Sequence, residues 1–140
     1  MEASGYVKAD DPKIEADARL WRRIHQSWFV PIANSGEHRV SSQAFQNGKT
    51  SDGRQADHMS VTLADHPSAP ASPNEAVSGK YAGYGLLEFS AGLARSLGQG
   101  VTHTPTAEEP AHGSVTGDKS RAVIKGFKRG SRLLIQPPPP

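Results

Sequence analysis

The second half of the chain, from Tyr84 to Gln136, carries the tightest constraint on the fold. Short apolar runs, glycine punctuation, a Pro-Ala-His-Gly turn and one basic amphipathic helix follow one another with little slack. No other region is dense enough in structure signals to act as a nucleus. Tyr84 to Phe89 reads as a strand, Ser90 is placed to cap a helix running through Leu97, and Gly98 is placed to end it. The β-rich runs Val101-Thr102-His103-Thr104 and His112-Gly113-Ser114-Val115-Thr116 are separated by Pro105 and Pro110, which predicts two strands joined by a loop. Gly117-Asp118 opens a predicted helix to about Gly130, and Leu133-Leu134-Ile135 reads as a last apolar strand.

The first half is looser. Asp11-Pro12 has the form of a helix start, with Ile14, Ala18 and Trp21 at helical spacing, so a helix is expected to about Arg19. Leu20, Arg22 and Ile24 then alternate as a strand, expected from Leu20 to His25. Trp28-Phe29-Val30 stops at Pro31, and the turn Asn34-Ser35-Gly36 reverses the chain before Arg39-Val40. Asn47 to Gly53 has no apolar residue and reads as loop, whereas Met59, Val61 and Leu63 alternate with polar residues as a half-buried strand does. Ser72-Pro73-Asn74-Glu75 has capping-box form, predicting a short helix that stops at Gly79.

Composition limits how much core these elements share. Ile, Leu, Val and Phe together number 25 of 140 residues, below the roughly one-fifth that marks ordinary globular chains. A formal charge of +2 is too small to hold the chain open by self-repulsion. The expectation is one small α+β domain over residues 11–136, with a mixed or mainly antiparallel sheet, two or three helices and long loops. Residues 1–10 are expected to be disordered and Pro137 to Pro140 to form an extended tail. Without cysteine there are no disulfides or thiolate metal sites. The acidic residues after Met1 do not form a secretory leader, and no run approaches the roughly 18 apolar residues of a membrane helix. A cytoplasmic address is expected, with no membrane partner.

Lys119, Arg121, Lys125, Lys128, Arg129 and Arg132 place six cations along the last helix with no acid between them, while Val123 and Phe127 face the core. That pattern suits contact with nucleic acid phosphates or an acidic protein partner, and Lys119, Arg121, Lys125, Lys128 and Arg129 are its candidate binding residues. The plainer reading is a solvated helix face whose terminal cations offset the macrodipole. Gly113 to Ser120 is not a phosphate-binding loop, because three residues rather than four separate its glycines and Asp118 stands before Lys119. Asp57-His58 and Asp65-His66 flank a strand, which sets them about 26 Å apart when extended, so no metal centre is expected. Neither is a cofactor. His112 follows Glu108-Glu109-Pro110-Ala111, where carboxylates from a folded-back turn would hold its ring. No Gly-x-Ser-x-Gly elbow is present to supply a hydrolase nucleophile.

Three further segments share one cleft in a second reading: Leu20-Trp21-Arg22-Arg23-Ile24, Arg39-Val40-Ser41-Ser42-Gln43-Ala44-Phe45 and Met59-Ser60-Val61-Thr62-Leu63-Ala64. Their order distantly resembles the NAD-handling RES and ADP-ribosyltransferase group. The resemblance implies an enzyme acting on NAD or a nucleotide, with Arg23 and Ser41 or Ser42 holding phosphate and His112 as acid or base. The chain lacks the Gly-Arg-Trp-type segment and the late-strand glutamate of that group. These segments, with Ser90-Ala91-Gly92-Leu93-Ala94-Arg95 and Glu108 to Lys119, also resemble a set of short, uncharacterised bacterial proteins, which implies a bacterial intracellular setting and no activity. The expected function is a small accessory or interaction protein working through its basic C-terminal helix. The nucleotide-handling enzyme is the alternative.

Overall fold

The computed structural model describes residues 9–47 and 58–138. Among them eight strands and three α-helices follow in order: β1 (Arg19–Ile24), β2 (Phe29–Pro31), β3 (His38–Val40), β4 (His58–Leu63), α1 (Pro73–Ala76), β5 (Gly85–Ser90), α2 (Ala91–Ser96), β6 (Gly100–His103), β7 (His112–Thr116), α3 (Arg121–Gly130) and β8 (Arg132–Ile135). Six strands form one antiparallel sheet in the order β6-β7-β4-β1-β5-β8, and β2 and β3 make a separate hairpin. The fold is α+β, as the sequence predicts. No helix among the described residues is long and apolar enough to cross a membrane.

Period-2 alternation decides which side chains go where. Leu20 and Ile24 of β1, Met59 and Val61 of β4, and Leu87 and Phe89 of β5 turn to one face, where they meet Ala91 and Ala94 of α2 and Ile124 and Phe127 of α3. Phe127 stacks on Phe45 at 5.7 Å and meets Phe89 edge-on at 4.9 Å, so the few large apolar residues are spent in one place. On the other face Trp21 and Leu86 form a smaller cluster with Ala64 and Ala76.

The sheet is unevenly joined. β1 pairs with β5 from Arg19 to Ile24, and β4 pairs with β7 from His58 to Thr62. Between β1 and β4 only Leu20–Leu63 and Trp21–Thr62 are paired. The same register would set Arg22 against Val61 and Arg23 against Ser60, yet there the strands part, leaving a seam in the middle of the sheet.

Capping signals in the sequence hold where the side chain is local. Ser90 Oγ accepts from the Leu93 amide at 3.0 Å, Ser72 Oγ from the Glu75 amide at 3.3 Å, and Gly98 leaves α2 at φ 78°. Gly126 and Gly130, which weaken an isolated helix, have a packing reason. A Cβ at Gly126 would lie 2.3 Å from Leu97 Cδ2, and one at Gly130 2.6 Å from Leu93 Cδ1, so these glycines let α3 approach α2.

Four expectations are corrected. No helix forms over residues 11–19: the Ala16 and Ala18 carbonyls accept from the Gly92 and Ala91 amides, at 2.7 and 3.0 Å, and are thereby committed to the start of α2. The cap of α3 is Ser120, whose Oγ accepts from the Val123 amide, rather than Asp118. Helix α1 ends at Ala76, and Gly79 instead opens a 3-10 turn at φ 61°. Pro137, expected in a loose tail, is fully buried, and the Pro138 carbonyl accepts from Gln26 Nε2 at 3.0 Å. At the other end Ala9 exchanges hydrogen bonds with Thr116 Oγ1, both 2.7 Å, and Asp10 meets Arg95. Residues 1–8, most of the 47–53 loop and residues 139–140 lie outside the described residues.

Candidate functional site

Two hollows gather the residues singled out from the sequence. The first lies along α3. Ile124 and Phe127 bury one side of the helix, and along its flank Arg121, Lys125 and Lys128 line a groove of about 580 Å³ with Ser42, Gln46 and the edge of Ile124. Lys128 also borders a neighbouring hollow of about 290 Å³ with Arg39. Among the described residues none of these four cations has an acid within ion-pair distance, whereas Arg132 pairs with Glu88 at 3.3 Å. Arg121 is the first residue of α3, and no acid stands in that turn to meet the positive end of the helix dipole. Arg129 is exposed beside them.

Lys119 does not join this face. Its ammonium turns inward and donates to Asn47 Oδ1, the Gly117 carbonyl and the Val115 carbonyl at 2.8, 3.0 and 3.2 Å. Burial pushes its pKa down to about 8, partly countered by Asp118 and reinforced by the charge of Arg22. With the folded value below the unfolded one, the penalty on the charged form is complete below pH 8. It is relieved as pH rises toward the ordinary lysine value, because there the unfolded chain binds the proton that the folded chain has shed. Urea unfolding at pH 7.5 and pH 10 is therefore expected to show the protein gaining on its Lys119→Met variant by on the order of 2 kcal/mol, after discounting for partial exposure. Parallel changes in the two proteins would rule out the buried ammonium as the cause.

The second hollow is the seam. Two joined clefts of about 240 and 520 Å³ share Arg23, Tyr81, Glu109 and His112. Arg23 is held from several sides: Nε donates to the Ala76 carbonyl at 2.5 Å, Nη1 to Thr62 Oγ1 at 3.0 Å and to Glu109 Oε2 at 3.3 Å. Its guanidinium lies over the Tyr81 ring at 4.1 Å. Thr62 Oγ1 donates to the same Glu109 oxygen. His112 Nδ1 lies 2.8 Å from the Thr104 carbonyl, which accepts only, so Nδ1 carries a proton and donates to it. The expected carboxylate support for this ring is absent, because Glu109 is engaged by Arg23 and Glu108 by Lys80.

Arg23 and His112 therefore come together, but Ser41 and Ser42 do not join them. Ser41 Oγ accepts from the Gln43 amide at 3.3 Å and caps the 3-10 turn Ser42–Phe45, while Ser42 lines the α3 groove. The arginine, serine and histidine set expected for nucleotide handling is not assembled in one pocket. Arg22, which the sequence offers only as an alternative to Arg23, is held separately. Nε donates to the Ala44 carbonyl and Nη1 to the Ser60 carbonyl, each at 2.9 Å, and the group lies 5.3 Å from the Trp28 ring centre. Burial with no carboxylate beside it pushes the Arg22 pKa down to about 10. The residue still reaches the cleft surface, although its charged end is closely surrounded by protein.

Comparisons with protein-family models, curated proteins and solved structures each return no match.

Proposed function

We propose that the protein is an accessory factor that holds nucleic acid by its phosphate backbone along α3. The observation that carries this reading is the convergence of Arg121, Lys125 and Lys128, without acid partners among the described residues, on one groove that Ser42 and Gln46 complete. The seven helical steps from Arg121 to Lys128 rise about 10 Å, so the cations follow a line rather than a point. Lysine, arginine, serine and glutamine are the usual partners of phosphate oxygens, and they read no base. Few aromatic side chains border the groove, so base stacking contributes little and sequence preference is expected to be weak. Lys119 is not part of the surface in this reading, and Arg129 adds to the field beside it.

The test is a fluorescence titration of the full chain with labelled duplex and single-stranded oligonucleotides. Three phosphate contacts give a slope of log K against log salt of about −3, equivalent to about a 40-fold loss between 50 and 200 mM salt. Binding that ignores salt, or no binding at 50 mM, would overturn the proposal. Tighter binding of a polyglutamate peptide than of either oligonucleotide would assign the groove to an acidic protein instead.

A further inference from the structure

The seam between β1 and β4 holds a feature that a purely structural role leaves unexplained. Past Trp21 and Thr62 the strands part, and the space is filled by the Arg22 and Arg23 guanidinium groups rather than by backbone pairing. Arg23 has Glu109 as its counter-ion. Among the described residues Arg22 has two carbonyls and no carboxylate, and the neighbouring Lys119 is a second cation acting against it. A buried charge is ordinarily paired, so this one lacks a partner of opposite sign. Nε and one Nη1 hydrogen are occupied, which leaves the Nη2 edge of the fork unspent.

The walls describe the rest of the missing partner. Both tryptophans of the chain, and two of its three tyrosines, line the smaller cleft. Tyr81 and Tyr84 meet edge-on at 5.3 Å, and His25 meets Tyr84 at 5.5 Å. Flat walls of this kind receive a flat ring, and an unspent planar fork receives a planar or tetrahedral oxyanion. His112, whose Nε2 has no hydrogen-bond partner among the described residues, stands at the boundary with the larger cleft.

We propose that the β1/β4 seam is a binding site for a small aryl oxyanion, a carboxylate or phosphate carried on a flat ring, whose charged end meets Arg22 and whose ring lies among Trp28, Tyr81 and Tyr84. The site is separate from the α3 groove and shares none of its lining residues.

The two tryptophan side chains are built-in reporters. In ¹H–¹⁵N spectra of the full chain, phenyl phosphate and benzoate are titrated against phenol and inorganic phosphate. The expected result is saturable movement of the Trp28 indole signal by phenyl phosphate, benzoate or both, at least tenfold tighter than by phenol or by phosphate alone. Arg22→Gln is expected to lose that tenfold preference, and the same spectrum reports whether the variant is folded. Arg22→Lys, which keeps the charge and loses the fork, covers the case in which Arg22→Gln unfolds and is expected to weaken binding at least fivefold. Glutamate substitutions at Lys125 and Lys128 are expected to leave it unchanged. Equal movement by phenol and phenyl phosphate would overturn the proposal, as would a folded Arg22 variant that binds like the parent. Loss of binding on reversing Lys125 and Lys128 would move the oxyanion to the α3 groove.

Discussion

Gly85→Ala is expected to lower the melting temperature by about 10 °C, through a loss of about 3 kcal/mol. At this first residue of β5 a Cβ would stand 2.6 Å from Pro137 Cδ, 2.8 Å from the Ile135 carbonyl oxygen and 3.0 Å from Ile24 Cγ1. A flexible side chain can yield to such a contact, but a backbone carbonyl within a strand pair cannot. Relief therefore requires β8 to move off β5 or Pro137 to leave its buried position. A small domain has a total stability of only 5 to 15 kcal/mol, roughly, so the loss is a large part of it. Thermal unfolding followed by circular dichroism measures it. Removing residues 137–140 from the Gly85→Ala chain should restore only part of the loss, because the Ile135 oxygen remains. An unchanged melting temperature would show that neither β8 nor Pro137 sits as described.

Reversing three charges on α3 is expected to have the largest effect on binding. Arg121→Glu, Lys125→Glu and Lys128→Glu together should weaken oligonucleotide binding at least 100-fold at 50 mM salt and flatten the salt slope toward zero, since the contacts that release counterions are gone. The fold should survive the change. Arg121 and Lys125 are exposed and Lys128 is half-buried, while the core contacts of α3 run through Ile124 and Phe127, and a glutamate at position 121 is favourable at a helix N-terminus, offsetting the few tenths of a kcal/mol lost near the other end. Lys119→Gln is the contrasting variant: it should reduce stability while leaving the salt slope alone, because its ammonium faces Asn47 and two carbonyls. Undiminished affinity in the triple variant would exclude α3 as the contact surface.

Elements whose signals lie within a few residues were legible in the sequence. Alternation around Met59, Val61 and Leu63 marked β4, Ser90 and Gly98 marked both ends of α2, and the turn at Asn34 to Gly36, with φ of 61° at Asn34 and 74° at Gly36, joined β2 to β3. Failures arose where a distant partner decided the outcome. Asp11 does make a local bond, Oδ1 accepting from the Lys13 amide at 3.0 Å, but the carbonyls that would continue a helix serve the start of α2, 73 or more residues later. Asp118 and Ser120 both suit a cap. The inward reach of Lys119 to Asn47 settles the choice, and that contact spans 72 residues.

The candidate sites divide the same way. Helical spacing put Arg121, Lys125 and Lys128 on one face, and the groove follows from it, but spacing could not reveal that Lys119 bends inside. A sign of Arg22 was present nevertheless. In Leu20-Trp21-Arg22-Arg23-Ile24 the same alternation that buries Leu20 and Ile24 also sends position 22 toward the core, where a charged side chain breaks the pattern. The convergence of Arg23, Glu109 and His112 was beyond reach, because the spacing from Arg23 to Glu109 is 86 residues.

With just two rungs shared between β1 and β4, the sheet amounts to a pair of three-stranded plates fastened at one corner. Elsewhere along that border the fastening is done by guanidinium groups reaching across to Ser60 and Thr62. Side-chain ties of this sort tolerate small changes in angle better than a ladder of amide bonds does. The plates can accordingly be expected to flex against each other about the Trp21 corner, and amide protons beside the opening should exchange sooner than those between β1 and β5.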